Sequence, residues 1–133
     1  MNPIVLDTDI WSFLFKGDSR IINYRQYIDN NVLCVSFQTV AELYQWTEIH
    51  DWGTKRRTKL HHWLSNFKVL AYDDETAQVW AKIRAVRFEQ GRPLAAQDAW
   101  VAACALRHQY PLLTHNHSDY ALIPDLIIIP QLN

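Results

Sequence analysis

Glycine is nearly missing from this chain, with 3 among 133 residues. The stretch Leu6 to Trp11, where a dinucleotide-binding turn would follow the first apolar run, holds none, which excludes a G-x-G-x-x-G site there. No stretch is rich in Ser, Gly and Pro and no repeat recurs, so a single domain over 1–133 is expected. Cysteine is limited to Cys34 and Cys104, in apolar surroundings and without CxxC spacing. Two such residues speak against a disulfide framework and for buried free thiols in a cytoplasmic protein. No apolar segment approaches the roughly 20 residues of a membrane span, and the N-terminus lacks a signal-peptide pattern. Net charge is also lacking: at −1 the chain has no global pull toward nucleic acid or anionic membranes. Any such binding needs a local patch. The candidates are Lys55, Arg56, Arg57 and Lys59, and separately Arg84, Arg87 and Arg92, whose default reading is a plain solvated helix face.

What is present is a globular composition, 49% hydrophobic and 20% charged, long enough to bury a sizeable core. Ile4-Val5-Leu6 reads as a short buried strand ending at Asp7. A helix from Ile10 to Lys16 stops at Gly17, and Asp18-Ser19 caps a second helix that Asn30-Asn31 breaks. Val32 to Val35 reads as a second strand, followed by a helix capped by Ser36 and running to about His50. A helix from Thr54 to near Phe67, a strand from Val69 to Tyr72 and a long helix from Asp73-Asp74 follow, broken at Gly91-Arg92-Pro93. Ala95 to Gln109 is Ala-rich and helical, Leu112 to Thr114 is a fourth strand, and Leu126 to Ile129 a fifth. Strands apolar on both sides, alternating with helices, predict an α/β fold: a three-layer α/β/α sandwich around a mostly parallel sheet.

Four acids fall at related places in that scheme. Asp7 follows strand one, Glu42 lies in the first turns of the helix after strand two, Asp98 opens the Ala-rich helix, and Asp119 follows strand four. Each alone also suits a helix cap, a first-turn acid or an Asx turn. Together they converge on one edge of a parallel sheet, where open α/β folds bind ligands. Clustered carboxylates repel unless a cation sits among them, and an oxygen-rich acidic site suits Mg²⁺, or Mn²⁺ in its place. The chemistry this points to is phosphodiester hydrolysis, the metal orienting water and stabilising phosphoryl charge.

The same residues carry a resemblance. Ile4-Val5-Leu6-Asp7-Thr8, Thr39-Val40-Ala41-Glu42-Leu43, Asp98 to Leu106, and Leu113 to Tyr120 resemble, in order, the motifs of the PIN domain. More narrowly, the chain looks like the VapC toxins of toxin–antitoxin pairs. The resemblance implies a Mg²⁺-dependent endoribonuclease toxin held inactive by a VapB-like antitoxin, acting on RNA and forming a homodimer. It implies Asp7, Glu42, Asp98 and Asp119 as the catalytic, metal-holding quartet, with Thr8, Thr114 and Asn116 in support through hydrogen bonds. Asp9 departs from the family, which often has a neutral polar residue there, and Val101 stands for a common isoleucine.

Other readings remain open on residues alone. Asp7-Thr8-Asp9 after an apolar strand also looks like the start of a haloacid-dehalogenase-like phosphohydrolase, with Asp7 as nucleophile. Trp11 does not suit that pattern, and no lysine followed by paired acids completes it. Adjacent His61-His62 diverge on a helix, and His115-x-His117 lacks partner cysteines, so zinc is not expected. A catalytically inert PIN-like binding module is the third possibility. For a protein partner, Trp46 and Trp52 are candidates to line a groove, since six tryptophans exceed what a small core readily buries.

Overall fold

The computed structural model of the protein describes residues 1–130. Five strands form its sheet: β1 (Pro3–Leu6), β2 (Val32–Ser36), β3 (Lys68–Leu70), β4 (Leu112–Leu113) and β5 (Ile128–Ile129). All pairs are parallel, in the order β3-β2-β1-β4-β5. The chain therefore builds outward from β1 in one direction and then, with β4, in the other. The crevice beyond the carboxyl ends of β1 and β4 is the switch point at which such sheets bind ligands.

Period-two alternation assigns each strand residue to a face. Ile4 and Leu6 of β1, Val35 of β2 and Leu113 of β4 enter one buried cluster, with Ile10, Trp11, Leu43, Leu60 and Leu64. Val5, Cys34, Leu70 and Leu112 face the opposite cluster, with Ile83, Val101, Cys104 and Tyr120. The first cluster is covered by α1 (Thr8–Lys16), α3 (Phe37–Ile49) and α4 (Thr54–Leu64); the second by α5 (Asp74–Glu89) and α6 (Ala96–His108). This is the three-layer α/β/α sandwich expected from the sequence. Among the described residues no helix is long and apolar enough to cross a membrane. Cys34 and Cys104 are buried and free, and burial pushes the Cys104 thiol up to about 12.

Several boundaries differ from expectation for identifiable reasons. The helix expected after Asp18 is a 3₁₀ segment (Ser19–Tyr24) followed by a single turn, α2 (Arg25–Ile28). Ile21 and Tyr24 are buried three apart while Ile22 is 70% exposed, a spacing that eclipses the two on a 3₁₀ turn. The third strand stops at Leu70 rather than Tyr72, because its partner Ser36 is where β2 turns into α3. Likewise β5 is confined to the residues opposite the two of β4. The tryptophans fit a small domain by sitting at its edges. Trp11 is fully buried and Trp52 nearly so, while Trp46, Trp63, Trp80 and Trp100 are half-buried.

Trp11 meets Trp63 edge-on at 5.4 Å and Phe67 at 4.7 Å, joining α1 to the end of α4. Truncating a buried aromatic leaves a cavity as well as lost contacts. Trp11→Ala should destabilise the fold by about 3–5 kcal/mol in urea unfolding; a loss under 1 kcal/mol would show that this aromatic cluster is dispensable.

Candidate active site

Asp7 closes β1 and is 3% exposed. Its Oδ1 accepts the Ile10 N–H at 3.0 Å, so it caps α1, and Oδ2 accepts the hydroxyl of Thr114 at the end of β4. The capping role and the site position are thus filled by one carboxylate. Glu42 stands in the second turn of α3, and Asp98 in the first turn of α6. Because α6 leads into β4 and runs back along it, its first turn lies at the strands' carboxyl edge. Asp119 lies on α7 (His117–Tyr120), a single turn after β4 where only a loop was expected.

These elements enclose a pocket of about 90 Å³ lined by Asp7, Thr8, Asp9, Glu42, Asp98, Asn116, Asp119 and Tyr120. The four acids singled out from the sequence are therefore brought together, with Thr8 and Asn116 beside them and Thr114 fully buried behind Asp7. Thr114 Oγ1 also accepts the Asn116 N–H at 2.9 Å, and Asn116 Nδ2 donates to Asp9 Oδ2 at 2.6 Å. Asp9 thus lines the pocket and ties α1 to the loop after β4. Thr8 shares a hydroxyl hydrogen bond of 3.0 Å with Thr39, and Ser36 Oγ donates to Thr39 at 3.1 Å while capping α3. The starts of α1 and α3 are joined by this hydroxyl chain.

No lysine or arginine lines the pocket, and its electrostatics follow from that. Burial pushes the Asp7 carboxyl up to about 6 from 3.8, against the hydrogen bonds from Thr114 and Ile10, with the charge of Asp9 adding to the rise. Burial also raises the Asp98 carboxyl, helped by Asp119, Glu42 and Asp9. The Tyr120 phenol is raised by burial and then by Asp98, so it stays a donor; its hydroxyl reaches Asp98 Oδ1 at 3.4 Å. Side-chain oxygens without a basic partner are the donor set of a hard divalent cation. Among the described residues no three His, Cys, Asp or Glu side chains already close on one point. Mutual repulsion spreads the carboxylates, and attachment partly through waters, which Mg²⁺ favours, suits such a spread set.

Some functional positions were not legible from the residues alone. Tyr120 and Thr39 fall inside the stretches that resemble the PIN domain, but their residue types gave no role there, although Thr39 stands three residues after the cap Ser36. Arg87, expected as part of a basic surface patch, is 6% exposed. Its guanidinium donates to the Arg92 carbonyl at 2.8 Å and to the Asp119 carbonyl at 2.9 Å, so it anchors the turn carrying Asp119. Arg57 likewise leaves the other patch: it donates to the carbonyls of Trp52 and Thr47 and pairs with Glu48 at 2.6 Å. The His115 ring has its Nδ1 2.5 Å from the Tyr24 hydroxyl and packs edge-on against Phe13.

The PIN domain family model matches residues 4–124. Ribonuclease VapC1 of Haemophilus influenzae strain R2866 is 30% identical over 124 residues, covering 92% of each chain. The tRNA(fMet)-specific endonuclease VapC of Shigella flexneri is 26% identical over 126 residues, covering 95% of this chain and 96% of the relative. Among solved structures, VapBC-1 from nontypeable Haemophilus influenzae superposes with a TM-score of 0.79 at 28% identity, over 96% of both chains. VapBC2 of Rickettsia felis, bound to a DNA fragment from the promoter, shares the fold with a TM-score of 0.81 at 22% identity, over 96% of this chain and 97% of that one.

The buried Asp7 has a measurable cost. Its carboxyl titrates near 6 in the folded chain and near 3.8 when exposed. Between those values the folded state binds more protons than the unfolded one, so this group's contribution to stability falls as pH rises through that window. Two units correspond to about 3 kcal/mol. Asp7→Asn, which can still cap α1, should raise the melting temperature in EDTA at pH 7.5, with the gain vanishing below pH 4. A gain independent of pH would show that the buried charge is not its source.

Proposed function

Because the chain belongs to the PIN domain family, we propose that it is an endoribonuclease toxin, hydrolysing RNA phosphodiesters at the acidic pocket and silenced by a VapB-like antitoxin. The observation that carries this reading is the convergence of Asp7, Glu42, Asp98 and Asp119 on one pocket without a basic residue. Those carboxylates would hold Mg²⁺, or Mn²⁺, directly or through waters. When bound, such an ion supplies charge stabilisation on the phosphoryl oxygens and eases deprotonation of water.

The chain's own groups do the rest. Thr114 and the α1 start hold Asp7 in one orientation, so its carboxylate is presented without rotamer loss. Tyr120 fixes Asp98 from the side facing α7, and Gln38 donates to Glu42 at 3.1 Å. Arg87 holds the backbone of Asp119 at the pocket's exposed lip. Single-stranded or looped RNA is the form whose backbone and bases reach such a crevice. The curated relatives and the complexes of this fold carry the names of ribonucleases and of VapBC pairs, which supports the activity and the partner. In the repressed complex an antitoxin segment, with an Arg inserted among the acids, would neutralise the pocket and cover it.

The purified chain with Mg²⁺ should cut RNA and EDTA should stop it. Asp7→Asn and Asp98→Asn should each lower kcat at least about 100-fold while remaining folded. Cleavage that survives both chelation and Asp7→Asn would overturn the assignment. Covalent phosphorylation of Asp7 by a small phosphomonoester would favour a phosphohydrolase instead.

A further inference from the structure

A second pocket, about 590 Å³, opens at the far end of the helices that frame the acidic one, lined by Lys16, Trp46, His50, Trp52 and Arg56. Helices α1 and α3 pack on each other, and each lines both pockets. On α3, Glu42 faces the acids, and Trp46 lies one turn on, about 6 Å along the axis; on α1, Lys16 lies about 10 Å beyond Asp9. Spacings of four residues on α3 and seven on α1 keep each pair on one side of its own helix.

The composition of the second pocket is the reverse of the first. Lys16 sits 4.8 Å over the Trp46 ring and Arg56 3.9 Å over the Trp52 ring. Neither makes an ion pair among the described residues. A polyanion drawn to a pocket of carboxylates must find its attraction elsewhere, and the chain's net charge of −1 does not supply it. We propose that this cation–tryptophan pocket holds a backbone phosphate of the RNA flanking the one placed at the acidic pocket, setting the strand's register along α1 and α3. The proposal rests on the ribonuclease reading and names the substrate contact that reading lacks. The sequence marked Trp46 and Trp52 for a protein partner. An apolar anchor from a protein would need the ring faces that Lys16 and Arg56 cover, whereas a phosphate needs only the two cations.

The test uses the full chain with Mg²⁺ and a cleavable single-stranded RNA in which one neutral methylphosphonate is moved along the strand. At one flanking position in the wild-type protein it should raise KM about tenfold, the loss of one charge-assisted contact. In Lys16→Gln/Arg56→Gln the same modification should have no further effect, with KM already raised and the salt slope of binding shallower by about 0.7, the share of one neutralised phosphate on a single strand. A position scan that is flat outside the scissile phosphate overturns the proposal without relying on the variant's folding. Unchanged KM and salt slope in a folded variant overturn it as well. So does a variant that keeps wild-type RNA kinetics but releases a co-expressed antitoxin, since the pocket is then a protein-docking surface. If the wild-type chain cuts no RNA, the ribonuclease reading falls. The subsite is then judged by RNA binding alone, measured by anisotropy, where equal affinity of wild type and variant overturns it.

Discussion

The hydrogen bond from Thr114 to Asp7 joins the ends of the two strands between which the sheet reverses direction. One hydroxyl spends its proton on the carboxylate and accepts the Asn116 N–H, so it sets the path of the chain leaving β4. The other carboxylate oxygen of Asp7 starts α1. The pocket's geometry follows: α1 presents Asp9 to Asn116, and the chain leaving β4 brings Asp119 and Tyr120 back over the first turn of α6. Were Asp7 free to rotate, neither neighbouring element would have a fixed origin.

Around that bond the protein gathers groups that repel one another. The compensation is polar rather than ionic: hydroxyls from Thr114 and Tyr120, amides from Asn116 and Gln38, and a buried guanidinium that donates to carbonyls. None of these cancels charge inside the pocket. Burial disfavours the charge on Asp7 and Asp98, and Asp7 keeps its carboxylate because the same group starts α1 and meets Thr114.

The layers were legible because buried parallel strands write short apolar runs into the chain, and caps such as Asp7, Ser36 and Asp73 mark helix starts by a side chain that reaches the backbone. Asp7 and Glu42 were legible because they follow such signals, and Asp98 because an Ala-rich run marks its helix. What escaped depends on contacts far apart in sequence. Arg87 looked like any surface cation until the carbonyl of Asp119 reached it, 32 residues away. Where Val69 to Tyr72 stops being a strand is decided by Ser36 on its neighbour, and the segment after Asp18 is 3₁₀ with Ile21 and Tyr24 turned inward. Local propensity carries no information about any of these.

Asp7 and Thr114 lie 107 residues apart, and β4 and β5 come last in the chain. Loop-closure entropy over so long a separation has to be overcome before that contact returns anything, and parallel pairing is slow for the same reason. During synthesis the growing chain displays β1, β2 and β3 long before β4 leaves the ribosome. The acidic pocket is thus assembled from segments more than 100 residues apart, and a growing chain lacks part of its lining until Asp119 and Tyr120 have been added.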